Sequence, residues 1–253
     1  MRAGKGTALA RVTVLGSGDA FGSGGRLHSA YLVEGDGVTF LLDCGPTILQ
    51  SLKAGHHDTG RIDFVLVSHL HGDHFGGIPF LFMEYIYERP RRRPLGVYGP
   101  LGTEERVHAL FAALYEKNAQ MPTPFPVRFE QLEPGTTREL GGVRVSAFCV
   151  PHTPELIALG YRIEVDGRSI LYSGDSAWTE DFIARSRGAD LFICECSTYE
   201  TRLNIHVAYP EIAARARDLG CKRLLLSHLG AEPLRHLDDI TLECARDGMT
   251  VEL

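Results

Sequence analysis

Fifteen residues from the first fifth of this chain return, without a gap, in its second half. YLVEGDGVTFLLDCG (31–45) aligns on YRIEVDGRSILYSGD (161–175), with Tyr31/Tyr161, Glu34/Glu164, Asp36/Asp166, Gly37/Gly167 and Leu41/Leu171 identical. Each copy reads as a hairpin, two apolar strands about an Asp-Gly turn. A second echo, LVSHL (66–70) and LLSHL (225–229), puts a histidine just past an apolar run in each half. The pattern predicts two related β-rich halves whose strand ends meet at an interface. A repeat this short also lies within reach of chance.

The rest of the chain fits a layered α/β architecture. Short Val- and Ile-rich runs bounded by Gly, Pro or Asp predict strands at 10–15, 30–34, 38–43, 62–68, 95–98, 143–150, 159–165, 169–173, 190–194 and 223–227. Longer periodic stretches predict helices at 46–54, 75–88, 103–118, 178–185, 209–219 and 237–246. No Gly/Ser linker or low-complexity tract divides the chain, so residues 1–253 are expected to form one domain.

Composition narrows the class. With 253 residues, a net charge of −6, 44% hydrophobic and 23% charged residues, the chain can close a buried core and is not a disordered one. No run approaches the roughly 18 apolar residues of a membrane span. Residues 1–10 carry Arg2 and Lys5 without the apolar segment of a signal peptide. Six scattered cysteines do not make a disulfide scaffold at this length, so a reducing, cytoplasmic setting without a membrane partner is expected. The acidic balance speaks against a general nucleic-acid coat.

Eleven histidines is the unusual count. Four ligand-type side chains, His69, His71, Asp73 and His74, fall within HLHGDH, directly after the apolar run 62–68. Imidazole with carboxylate suits zinc, iron or manganese rather than calcium. A loop this short cannot complete a site alone, so distant ligands are expected. His152, Asp175 and His228 each follow a predicted strand at its C-terminal end, where α/β sites tend to lie. Taken singly, each is equally a structural or solvated group.

HLHGDHFGG, with His152, the GDS at 174–176 and the SHL at 227–229, resembles the metallo-β-lactamase superfamily over nearly the whole chain. The resemblance implies a four-layer αββα sandwich formed by the two halves. It also implies a ligand division: His69, His71 and His152 for one divalent metal ion, Asp73, His74 and His228 for the other, and Asp175 bridging both. Zinc is the first expectation, with manganese or iron as alternatives. Within the superfamily the chain is most similar to ribonuclease Z and its phosphodiesterase relatives, through LGSGDAFGSGGRLHSAYLV, LLDCGPTILQ, VYGP (97–100) and GYRIE (160–164). Pro46 and Ile48 depart from that group's DxGxGTQ. CECS (194–197) stands at its HEAT, keeping Glu195 and losing the flanking histidine. His206 stands at its HST, with Val207 and Ala208 replacing Ser and Thr.

The implied chemistry is that of a binuclear phosphodiesterase. Two metals about 3.5–4 Å apart hold a bridging hydroxide at neutral pH and neutralise charge on a phosphoryl oxygen. Asp73 would ligate and also orient that nucleophile. The leaving alkoxide needs a proton, and His206 held by Glu195 is the candidate general acid, because an imidazole beside a carboxylate keeps its proton longer. The alternative makes Glu195 and His206 an ordinary ion pair or surface groups. His28, in a Gly-rich loop near Arg26, is a candidate to face the site. His56, His57, His108 and His236 read as ordinary groups, and Cys194 and Cys196 as packing.

One departure bears on the substrate. Bacterial ribonuclease Z usually carries a protruding tRNA-binding arm between its GYR and GDT segments. Here only the ten residues IEVDGRSILY separate Arg162 from Ser173, enough for a hairpin. The one basic run, RPRRR at 89–93, reads as a solvated loop closing a helix. A small phosphodiester or RNA-like ester is therefore the expected substrate, and nucleic acid is disfavoured. The alternatives are tRNA 3′-end processing, hydrolysis of sulfate esters or lactones, and a non-catalytic metal-binding protein. The helix at 75–88 holds more apolar side chains than one core-facing stripe needs, which points to a substrate cleft or a homodimer interface.

Overall fold

The structure is a computed structural model describing residues 10–253; the reading of residues 1–10 as lacking the apolar segment of a signal peptide falls, but for Ala10, outside the described residues. In chain order the first half runs β1 (Arg11–Gly16), β2 (Ala30–Gly35), β3 (Val38–Leu42), α1 (Ile48–Ala54), β4 (Phe64–Leu66), α2 (Gly72–Phe75), α3 (Ile78–Met83), β5 (Leu95–Gly99), α4 (Thr103–Leu114), α5 (Glu116–Ala119) and β6 (Val127–Gln131). The second half runs β7 (Thr137–Leu140), β8 (Val143–Cys149), β9 (Leu159–Val165), β10 (Arg168–Tyr172), α6 (Asp181–Ser186), β11 (Leu191–Glu195), α7 (Tyr209–Arg215), β12 (Leu224–Ser227) and α8 (Ala231–Arg235). β13 (Thr250–Glu252) then returns to the first sheet.

Two mixed sheets face each other, in the orders β13-β1-β2-β3-β4-β5-β6 and β12-β11-β10-β9-β8-β7. Alternate side chains meet between them: Val12, Val14, Tyr31, Phe40 and Leu42 from the first, Val145, Tyr161, Ile163, Ile170 and Ile193 from the second. The other faces are also buried, under α1, α3 and α4 on one side and under α6 and α7 on the other. Burial on both faces explains why the central strands read as continuous apolar runs. Each fully buried Val, Leu or Phe side chain contributes about 1.5–3 kcal/mol. The layers are those of the expected αββα sandwich.

The hairpin repeat is structural. β2–β3 and β9–β10 are both antiparallel pairs, each followed by parallel strands. Their turns touch across the two sheets, Asp36 N donating to Asp166 Oδ2 at 2.7 Å. Asp166 and Gly167 both take positive φ (51° and 73°), as a type I′ turn requires. Each repeat tyrosine reaches into the opposite sheet. Tyr31 OH donates to Ser227 Oγ, and Tyr161 OH to the Val67 carbonyl, both at 2.6 Å. LVSHL and LLSHL are not part of this symmetry: β4 follows its hairpin directly, whereas β11 stands between the second hairpin and β12.

The predicted helices at 75–88 and 237–246 are corrected. Chain 72–88 forms α2, a break at Gly76–Gly77, then α3 and a π-helical turn at Glu84–Glu88. A side chain at Gly77 would meet the Gly45 carbonyl at 2.2 Å, so the break lets this segment dock on the end of β3. The apolar excess finds partners within the chain: Phe82 lies edge-on to Phe111 at 5.4 Å, and Tyr85 to Phe125 at 5.6 Å. Residues 237–246 are not helical. They run beside β12, with Leu226 N donating to Glu243 O and Ala245 N to Leu226 O. Among the described residues no helix is long and apolar enough to cross a membrane.

Candidate metal centre

The C-terminal ends of β3, β4, β10, β11 and β12 and the loop after β8 converge at one edge of the sandwich. There the structure brings together the nine residues given a metal or catalytic role from the sequence, in three overlapping sets: His69, His71, His152 and Asp175; Asp73, His74, Asp175 and His228; and Glu195, His206 and His228. Gly174 sets the close approach. Its φ is 59°, and a side chain there would meet Ser68 Cβ at 2.9 Å, so only glycine lets Asp175 lie against the HLHGDH loop.

In the first set His71 Nδ1 lies 3.0 Å from His69 Nε2 and 3.2 Å from His152 Nε2, and Asp175 Oδ2 is 3.8 Å from His69 Nε2. In the second, Asp73 Oδ2 is 3.2 Å from His74 Nε2 and 3.3 Å from His228 Nε2. Asp175 Oδ1 lies 3.2 Å from His74 Nε2 and Oδ2 3.4 Å from His228 Nε2, neither in hydrogen-bonding geometry. Tetrahedral coordination with bonds of 2.0–2.1 Å gives ligand–ligand edges of about 3.3–3.4 Å, close to most of these separations. His74 Nε2 and Asp175 Oδ1 are moreover buried without a hydrogen-bond partner, an arrangement that costs free energy unless something fills it. The donor set therefore fits two divalent ions with Asp175 between them.

The second nitrogens of His69, His74, His152 and His228 are held by the protein, which fixes which nitrogen of each faces the centre. His152 Nδ1 donates to the Ile205 carbonyl at 2.8 Å. His74 Nδ1 meets Asp43 Oδ2 at 2.7 Å, and His69 Nδ1 meets Ser68 Oγ at 3.0 Å. Asp43 is the residue that sequence reasoning missed. It is fully buried, takes a positive φ of 55°, and accepts from Ser68 N, Ser68 Oγ and Tyr172 OH besides His74. Its only sequence signal is its place in LLDCG at a strand end. Asp43→Asn should weaken metal binding by about 10–100-fold, read by competition with a chelator, because the amide no longer holds His74 as a charged acceptor.

Electrostatics divides the two sets. Burial, then the neighbouring His74 ring, pushes the His69 pKa well below the usual imidazole range, leaving a neutral ligand. Burial pulls His74 and His228 the same way, but the carboxylates outweigh it: Asp175, Asp73 and Asp43 hold His74 well above its usual value, and Asp175 and Asp73 hold His228 at about 9. Burial alone would raise Asp175, yet His228 and His74 hold it well below the carboxylate range. Metal uptake therefore displaces protons from the second set.

Glu195, 2% exposed, lies beside both sets. Its Oε1 accepts from His206 Nδ1 at 2.8 Å and Ser176 N at 2.7 Å, and its Oε2 from Ser197 Oγ at 2.8 Å. Ser197 Oγ in turn accepts from His228 Nδ1 at 2.8 Å. The His206 ring sits 5.1 Å from that of His152 and 5.8 Å from that of His228. Burial lowers its pKa, but the hydrogen bond and charge of Glu195 outweigh burial and raise it. His28 lies outside the three sets; its backbone N–H donates to Thr47 Oγ1 at 3.0 Å. His236 stacks on Tyr199 at 4.1 Å and His108 lies edge-on to Phe129 at 5.1 Å, while Cys194 and Cys196 are buried under the outer helices.

This fold and this cluster define a class. The profile of the beta-lactamase superfamily domain matches residues 39–229, and the chain belongs to the metallo-β-lactamase superfamily. Ribonuclease Z of Methanosarcina acetivorans is 28% identical over 92% of this chain and 90% of its own length. That alignment is 284 positions long, so roughly 50 of its positions face no residue of this 253-residue chain. The crystal structure of human short-form tRNase Z (ELAC1) superposes with a TM-score of 0.75 at 24% identity, covering 96% of this chain and 98% of that one. A diphosphatase of the PhnP family reaches 0.77 at 19% identity, covering 96% and 98%.

Proposed function

We propose that this chain is a binuclear phosphodiesterase acting on a small phosphodiester or RNA-like ester. The observation that carries the reading is the Glu195–His206 pair beside the two ligand sets: a half-buried imidazole held by a buried carboxylate would serve as proton donor to a leaving oxygen. His69, His71 and His152 would hold one ion, Asp73, His74 and His228 the other, and Asp175 both. Zinc suits these nitrogen and carboxylate donors best, with manganese or iron as alternatives. Two such ions, when bound, supply a nucleophilic water at neutral pH and neutralise charge on the phosphoryl group.

The chain's own residues do the rest. Asp73, with Oδ2 3.2 Å from His74 Nε2 and 3.3 Å from His228 Nε2, would ligate and also orient the nucleophile. Glu195 keeps the His206 proton on Nδ1 and, by its charge, favours the doubly protonated ring. His206 Nε2 then delivers its proton to the departing alkoxide. The names of its relatives, a ribonuclease and a diphosphatase, support cleavage at phosphorus. A small substrate is favoured because β9 and β10 are joined by the Asp166–Gly167 turn alone, where a tRNA-binding arm would stand.

The test is a side-by-side assay of the zinc- or manganese-loaded chain on a phosphodiester, a sulfate ester, a lactone and a precursor tRNA. Turnover of the phosphodiester is expected to dominate. Hydrolysis confined to the sulfate ester or lactone would overturn the reading, and a preference for precursor tRNA would replace it with the tRNA-processing alternative.

A further inference from the structure

We propose that Phe21 is a substrate-recognition residue, a flat apolar platform at the mouth of the metal centre that selects esters carrying a planar apolar substituent, such as an aryl group or a nucleobase. The inference rests on the phosphodiesterase reading for the anionic part of the substrate. Phe21 is 90% exposed, yet its loop is not slack. The Asp19 carboxylate, only 6% exposed, accepts from Phe21 N at 3.2 Å, Ser23 N at 2.9 Å and Ser23 Oγ at 2.8 Å. Ordering a loop with three glycines in residues 19–25 costs more conformational entropy than ordering most sequences. Holding a phenyl ring in water returns none of that cost, whereas covering it with a ligand does.

The loop stands against the centre. Leu229 N donates to Ser17 O at 3.0 Å, and Gly18 bridges to both His28 and Leu229, next to His228. A side chain at Gly230 would lie 2.2 Å from the carbonyl of Ser197 and 3.4 Å from Asp19 Oδ2; Ser197 is the residue linking His228 to Glu195. Two more exposed apolar side chains, Ile157 (42%) and Leu203 (40%), stand on the loops that carry His152 and His206.

Charge at this end completes the case. Asp19, Glu104, Glu105, Glu155, Glu180, Glu200 and Glu232 lie on or just past the loops of this edge, against Arg202, Arg235 and Arg246. Arg26 on the same edge is committed to Ser17 Oγ and the Ala245 carbonyl. The basic run 89–93 precedes β5, at the opposite end of the sheet, and its Arg89 and Arg93 pair with Asp58 and Asp63. Acidic side chains outnumber basic ones around this mouth, which disfavours a polyanion more than a single phosphodiester with an apolar substituent.

Calorimetric titration of the zinc-loaded chain with methylphosphonate and phenylphosphonate reads the platform separately from turnover. Phenylphosphonate is expected to bind about tenfold more tightly, the scale of one stacking contact. Phe21→Ala should collapse the phenyl-to-methyl ratio towards one, and Phe21→Trp should keep it. A flat ratio in the native chain, or a ratio unmoved by Phe21→Ala, while phosphodiester turnover persists, would overturn this inference alone. Failure to bind either phosphonate, with no phosphodiester turnover, would overturn it together with the phosphodiesterase reading. A change of oligomeric mass in Phe21→Ala, seen by sedimentation, would overturn it in favour of a second copy of the chain as occupant. Single-stranded RNA binding more tightly than phenylphosphonate and falling steeply with salt would overturn it in favour of a polyanion.

Discussion

Asp175→Ala is expected to leave a folded chain that holds fewer than two metal ions and has lost turnover by about 10³-fold or more, the scale of removing one preorganised electrostatic element. Asp175 is the one side chain common to the two main ligand sets, with Oδ1 3.2 Å from His74 Nε2 and Oδ2 3.4 Å from His228 Nε2 and 3.8 Å from His69 Nε2. Its loss removes a donor from each set at once. The fold should survive, and the sign follows from the same contacts. His74 and His228 keep raised pKa values largely because Asp175 faces them. Without it, Asp73 still faces both rings and Asp43 still faces His74, so neither ring is left as an unpaired buried charge. Elemental analysis after saturation and dialysis, beside kcat on a phosphodiester, checks the result. Two tightly held ions with turnover intact would sink the bridge.

How much of this was legible in the sequence depended on whether a local pattern carried the constraint. His69, His71, Asp73 and His74 are legible because four ligands share one loop, and His152, Asp175 and His228 because each ends an apolar strand. Strands β6, β7 and β13 were not legible, and each has only one neighbour in its sheet. β6 and β7 bury little and carry charge, as Arg128 and Glu130 or Arg138 and Glu139 do here, so they lack the apolar signature of a central strand. At 237–246 the helical reading failed for the opposite reason. Leu242 and Cys244 are half-buried and alternate with exposed Thr241 and Glu243, a period of two set by the open edge of β12 rather than by local propensity. Asp43 escaped because its role is entirely tertiary: Ser68, His74 and Tyr172 reach it from three other segments.

His206→Ala should lower kcat by about 100-fold or more on an ester with an alkoxide leaving group, within the range of general acid catalysis, while both metal ions stay bound. The geometry separates the two roles. His206 Nδ1 is taken by Glu195 at 2.8 Å, and no contact of His206 is needed to complete the His69–His71–His152–Asp175 or Asp73–His74–Asp175–His228 sets. An ester of an acidic phenol, whose leaving group departs without a proton, should lose far less. The pH profile gives an independent reading. Burial lowers the His206 pKa, but Glu195 raises it further than burial lowers it, so the ring keeps its proton to higher pH than a free imidazole does. The rate on the alkyl ester should fall as pH rises through that raised value, and this basic limb should vanish in the variant. Loss of metal on removing His206 would instead make it a ligand, and an equal loss on both esters would make its part in the reaction something other than delivery of a proton.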